Sequence, residues 1–202
     1  KKIGGEGYPN QYKILEDNTK LRIIHDLDFI YLIRDSLINT LKYDLKGLKV
    51  AVHYGCHYLN LERDKDSIEG YLQDKTKLEE LVSLFGGEAV DYQERDSCCG
   101  WGASQVVLHP KDAFKITYRK LKSAVIVGAD FILMPCPTCL YTLSKPEFRE
   151  EISDLYKEYF DIPTIHINEL ISILRGCEEE RCINMRKNDP RIHEIFEKIT
   201  EK

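Results

Sequence analysis

The chain has 202 residues, enough for one full domain with an appendage, and a 43% hydrophobic content that supports a packed core. A net charge of −5 with both signs interspersed leaves no basic face for a nucleic acid. The longest apolar runs, Ala124 to Val127 and Phe131 to Met134, fall far short of the roughly 20 residues that span a bilayer, so no membrane span is expected. Lys1-Lys2-Ile3-Gly4-Gly5 lacks the apolar stretch of a secretory signal, which predicts a cytoplasmic location where thiols stay reduced and open to metals.

Residues 1–20 are polar, with Gly4, Gly5, Gly7 and Pro9 near the start, and read as a linker or as the end of something longer. From Leu27 to Leu41 the apolar residues recur at three- and four-residue steps, which predicts an amphipathic packing helix. Leu48 to Tyr54 is a short β-rich run ending at Gly55-Cys56. A second helix is predicted over Ser67 to Phe85, stopped by Gly86-Gly87. A strand over Glu88 to Tyr92 leads toward Cys98-Cys99-Gly100-Trp101-Gly102, whose glycines would let the backbone fold tightly around a bound group.

Pro110 introduces a helix over Lys111 to Val127, stopped by Gly128, and Asp130 to Met134 reads as a strand buried in a parallel sheet that delivers Cys136. Pro137 suits the first turn of a new helix, which would turn the N–H groups near Thr138 and Cys139 toward Cys136. Further helices are predicted over Pro146 to Phe160 and Glu169 to Leu174, the second capped by Asn168, with a last strand at Thr164 to Ile167. From Gly176 the composition turns to charge, ending in a short helix over Pro190 to Ile199.

Strands alternating with helices predict an α/β fold with a mainly parallel sheet, flanking helices and a charged helical C-terminal tail. The expected division is a linker and N-terminal helix over 1–44, a central domain over 45–176 and the tail over 177–202. In such sheets ligands bind beyond the carboxyl ends of the strands, which is where Cys56 and Cys136 should fall.

Five of the seven cysteines form an ordered series, C-x41-CC-x36-C-x2-C, from Cys56 through Cys98 and Cys99 to Cys136 and Cys139. Disulfides would need an oxidising compartment, and a bridge between adjacent cysteines would be strained. A structural zinc wants paired knuckles, whereas only Cys136 and Cys139 make one, and the side chains of Cys98 and Cys99 diverge. A nucleophilic cysteine beside His53 or His57 would leave the others redundant. An iron–sulfur cluster presents several irons, so diverging neighbours can each bind one; the fifth thiol favours a centre more open than a simple cubane. All four readings stand at this level, the last absorbing the most residues.

His53 and His57 flank Cys56, where they would either donate hydrogen bonds to sulfur or serve only as strand-end histidines. His25, His109 and His193 lie in or near helices and read as solvated or hydrogen-bonded, and Lys122 reads as surface. Cys177 and Cys182 fall outside the series, as free thiols or a partner contact.

The words His53-Tyr54-Gly55-Cys56-His57-Tyr58-Leu59, Cys98-Cys99-Gly100 and Met134-Pro135-Cys136-Pro137-Thr138-Cys139 resemble the CCG domain of the heterodisulfide reductase B subunit, over roughly Leu48 to Leu143. The resemblance implies a noncubane [4Fe-4S] cluster held by Cys56, Cys98, Cys99, Cys136 and Cys139, and two-electron reduction of the mixed disulfide of coenzyme M and coenzyme B. It also implies partners: a cubane iron–sulfur subunit, a flavin subunit and a second CCG half, since such subunits usually carry two CCG motifs and this sequence has one. Trp101-Gly102-Ala103 departs from the glycine-rich run expected after the motif, so no substrate contact carries over there.

Overall fold

The computed structural model describes residues 24–60, 76–101, 104–182 and 189–201. Four strands, β1 (Lys49–Val52), β2 (Glu88–Val90), β3 (Phe131–Met134) and β4 (Thr164–His166), form one parallel sheet in the order β2-β1-β3-β4. The chain steps outward from β1 to β2, then returns across β1 to β3 and β4. With right-handed crossovers, that reversal sends the connecting helices to opposite faces and opens a crevice beyond the carboxyl ends of β1 and β3.

Alternation along the strands gives each face its own core. Val50, Val52, Phe131, Leu133 and Ile165 point to one side. They meet Leu27 and Ile30 of α1 (Asp26–Leu32), Leu37 of α2 (Arg34–Ile38), Leu78, Leu81 and Val82 of α4 (Lys77–Leu84), Leu170, Ile173 and Leu174 of α9 (Ile167–Leu174), and Ile192, Ile195 and Ile199 of α11 (Pro190–Thr200). Ala51, Ile132 and Met134 point to the other. There they meet Leu121 and Ala124 of α6 (Pro110–Ile126) and Cys139 and Leu143 of α7 (Pro137–Ser144). The remaining helices are α3 (Cys56–Asn60), α5 (Ser104–Leu108), α8 (Pro146–Tyr156) and α10 (Glu179–Cys182).

The parallel α/β sheet agrees with the sequence, and the differences lie at boundaries. The N-terminal helix is two, broken at Ile33, whose φ of −98° and ψ of 10° leave the helical region. Of the helix expected over Ser67 to Phe85, the described part is α4, and 61–75 lie outside the described residues. The helix expected to reach Phe160 stops at Tyr156, because Lys157 takes a left-handed φ of 53°. Phe160 and Ile162 then fold back onto the core, and the buried Arg149 donates to the carbonyls of Leu143, Phe160 and Ile162 at 2.6, 2.7 and 2.9 Å. The cap of α9 is His166 rather than Asn168: its Nδ1 accepts the Asn168 N–H at 3.2 Å while Glu169 accepts the His166 N–H at 2.9 Å, a reciprocal pair. α11, at the end of the charged tail, packs its apolar side on the sheet, and Arg191 ties it to the Ser144 carbonyl at 2.9 Å.

Candidate metal centre at the carboxyl ends of the strands

Beyond β1 the buried run His53-Tyr54-Gly55 leads into Cys56, the first residue of α3. Tyr54 anchors it by donating to Glu79 at 2.5 Å and accepting the Leu78 N–H at 2.8 Å. Gly55 has a φ of +83°, and a Cβ there would stand 3.2 Å from Cys136 Cβ and 3.5 Å from Cys139 Sγ. Glycine at this position therefore lets the β1 end lie directly against the thiols that follow β3. Cys136 is the N-cap of α7, with Pro137 in the first turn as the sequence predicts.

The vicinal pair arrives from the β2 side. Cys99 is buried and Cys98 half-buried. Gly100 adopts a φ of +101° and presses on α6, where a Cβ would fall 2.4 Å from Thr117 Oγ1 and 2.6 Å from the Ala113 carbonyl oxygen. Thr117 in turn donates to the Cys99 carbonyl at 2.8 Å. The glycine thus serves the approach of the cysteine loop to a helix; Gly102 lies outside the described residues.

The fold brings four of the five cysteines of the series, Cys98, Cys99, Cys136 and Cys139, into one chain of contacts. Cys98 contacts Cys99, Cys99 contacts Cys139, and Cys139 contacts Cys136, while Cys56 lies within electrostatic range of Cys98. Hydrogen bonds from Cys139 and Cys98, with smaller help from His53 and the Trp101 N–H, hold the Cys99 thiol far below its usual range. Cys136 is brought down to about 5, chiefly by the bond from Cys139 and further by the N–H groups of Cys139 and Thr138. The two donors are pushed the other way, Cys139 by its bonds to Cys136 and Cys99, Cys98 by its bond to Cys99. The Gly100 N–H donates to Cys98 Sγ at 3.4 Å.

Two buried basic side chains adjoin the thiols. His53 is fully buried and burial holds its pKa down; its Nδ1 lies 3.3 Å from the Arg95 carbonyl oxygen. Its Nε2 has no partner at good hydrogen-bond geometry and interacts with Cys99. Lys120, 0% exposed, donates to the carbonyl oxygens of Glu94 and, at 3.4 Å, Arg95. Burial brings its pKa down to about 8 against the attraction of Cys99 and Cys139. Sequence reading missed Lys120 because an isolated lysine in a charged helix reads as solvated. The available signal was its place in the stripe Ala113, Thr117, Lys120, Leu121 and Ala124, all buried on one side of α6.

The other histidines are bland: His25 caps α1, His193 pairs with Glu179, and His57 is exposed. Lys122 sits at the surface, 2.9 Å from Glu158. Cys177 and Cys182 contact each other, and Cys182 packs on the opposite core.

The thiols form a chain of contacts, and among the described residues no group of three His, Cys, Asp or Glu is set to hold a metal ion. A cluster would replace their mutual S–H···S bonds with metal bonds. It would meet ready N–H donors from Gly100, Trp101, Thr138 and Cys139.

Residues 50–144 match the family model of the CCG cysteine-rich domain, which makes this a CCG-domain protein. The chain is also homologous to the heterodisulfide reductase B subunit over most of its length. A protein of Archaeoglobus profundus described as like the heterodisulfide reductase B subunit is 31% identical over 173 residues, 83% of this chain and 54% of the relative. The B subunit of the ferredoxin:CoB-CoM heterodisulfide reductase of Methanosarcina mazei is 26% identical over 154 residues, 76% of this chain and 50% of the relative. The 8-methylmenaquinol:fumarate reductase membrane anchor subunit of Wolinella succinogenes is 30% identical over 142 residues, 70% and 48% of the two chains. The chain spans about half the length of these relatives. Among the described residues no helix is long and apolar enough to cross a membrane.

Proposed function

We propose that Cys56, Cys98, Cys99, Cys136 and Cys139 bind an iron–sulfur cluster of the noncubane [4Fe-4S] type, and that the chain is the iron–sulfur part of an oxidoreductase resembling the heterodisulfide reductase B subunit. Residues 45–176 are the cluster domain, preceded by the linker and N-terminal helix over 1–44 and followed by the charged tail 177–202, whose α11 packs on the opposite core. The observation that carries this reading is the meeting of three cysteine groups, 80 residues apart at the extremes, at the reversal point of the sheet. Such a cluster supplies single electrons and an iron able to bind sulfur, which suits cleavage of a disulfide: RSSR′ + 2e⁻ + 2H⁺ gives RSH + R′SH.

The protein's own part is to hold the ligands apart by backbone. Gly55 and Gly100 set how closely the three segments approach, and Pro137 starts the helix whose N–H groups face Cys136. The half-buried Cys56, Cys98 and Cys136 face outward, while Cys99 and Cys139 root the site in the core. By the likeness to the heterodisulfide reductase relatives, the substrate is the mixed disulfide of coenzyme M and coenzyme B. The partners are a cubane iron–sulfur subunit, a flavin subunit and a second CCG half. The similarity to a fumarate reductase subunit favours a second reading, an electron relay in another CCG-containing oxidoreductase with no disulfide bound.

The test is an iron, zinc and acid-labile sulfide count on protein purified without oxygen, with a spectroscopic check for a thiol-dependent paramagnetic signal on oxidation. About four irons with matching sulfide are expected, and Cys99→Ala should abolish them. One zinc and no sulfide would overturn the reading and leave a zinc-stabilised interaction module. A cluster without the thiol-dependent signal would favour the relay.

A further inference from the structure

Lys120 is a buried cation whose described hydrogen-bond partners are neutral. Its ammonium donates to the carbonyl oxygens of Glu94 and Arg95 and lies 5.5 Å from the centre of the Tyr92 ring. The nearby Glu94 carboxylate is engaged by Arg119. Burying a charge is costly, and nearby opposite charge lowers that cost. Thr117, one turn earlier on the same helix, donates to the Cys99 carbonyl at 2.8 Å, and Gly100 is pressed against that helix, so Lys120 lies beneath the vicinal pair, where Cys99 and Cys139 attract it.

We propose that Lys120 is the fixed counter-charge of the five-thiol site, a positioning residue that raises the reduction potential of the centre held there. The inference rests on the thiols being cluster ligands. A centre bound by thiolates gains negative charge on reduction, and a cation held at fixed distance in a dry interior favours the reduced form more than the oxidised one. The hydrogen bonds from Lys120 to the loop 94–95 fix that distance, and the same loop lies immediately before Cys98. Removing the charge should therefore change the potential without dismantling the fold, because a methionine of similar length fills the same space beside the Tyr92 ring.

The experiment compares wild type, Lys120→Met and Lys120→Gln, each purified without oxygen. Metal and sulfide content, midpoint potential by dithionite titration, and thermal unfolding of the metal-free chain are measured in parallel. Both variants should lower the potential, with at least a tenfold loss in the equilibrium constant for reduction, about 59 mV for a one-electron couple. Metal-free unfolding should stay within a few degrees of wild type. Glutamine keeps a donor for the Glu94 carbonyl but no charge, so a wild-type potential in Lys120→Gln would assign the effect to hydrogen bonding and overturn the proposal. Unchanged potentials in both variants overturn it as well. A large loss of metal-free stability in both would make Lys120 a structural residue and also overturn it. Wild-type protein without iron and sulfide would instead defeat the cluster assignment on which the inference stands.

Discussion

The two faces of the sheet are built for different ends. One is closed by α1, α4, α9 and α11 with aliphatic side chains, and its buried cation, Lys77, meets the Asp28 carboxylate at 2.7 Å. The other places Cys99 and Cys139 in its core, and a buried cation beside them, Lys120, meets backbone carbonyl oxygens. The first face answers its charges internally and carries the stability. The second gathers thiols that hydrogen-bond chiefly to one another, an arrangement that a metal centre would complete.

The sharpest way to break this division is Gly100→Ala. The added Cβ would meet the Ala113 carbonyl oxygen at 2.6 Å, a backbone atom that cannot swing aside, at a φ of +101° that side chains rarely adopt. Backbone strain of about 1–3 kcal/mol and overpacking of about 1–3 kcal/mol should add. The expected outcome is a strongly destabilised chain that retains no metal, read by denaturant unfolding and by iron content. A stable variant with full iron content would show that the loop and α6 need not touch.

Leu170→Ala tests the other face. The side chain is fully buried on α9 against the aliphatic core, and its loss should cost about 2–5 kcal/mol. Iron and sulfide per folded chain should be unchanged at temperatures where the variant stays folded, because Cys98, Cys99, Cys136 and Cys139 pack on the other side. Loss of metal at full foldedness would show that the two cores are coupled through the sheet.

What the sequence made legible follows from how local the causes are. Strand ends, the proline at the first turn of α7 and the glycine stops act within a few residues, so Cys56 and Cys136 could be placed beyond β1 and β3 from pattern alone. The left-handed Lys157 that ends α8 carries no such mark; it answers to the burial of Phe160 and Ile162, a tertiary demand. The His166 cap was hidden because histidine is an uncommon cap and Asn168 an ordinary one, yet the buried Ile167 begins the helix earlier. Lys120 was invisible for the same reason in reverse. A lysine inside an apolar stripe is read as an exception until the thiols opposite it are seen.

The smallest expected effect belongs to the two cysteines outside the series. Cys177 contacts Cys182, whose thiol is pushed up to about 12, mainly by burial and then by that contact; Cys182 packs against the aliphatic core, on the side of the sheet away from Cys99 and Cys139. Cys177→Ala removes only a half-exposed side chain from the turn after α9, where backbone bonds such as Cys177 N–H to the Ser172 carbonyl at 3.0 Å remain. Stability should therefore change by less than about 1 kcal/mol, and iron and sulfide content should equal wild type. If Cys177→Ala emptied the site while Leu170→Ala did not, the line between a stabilising face and a metal-binding face would have to be redrawn through the C-terminal tail.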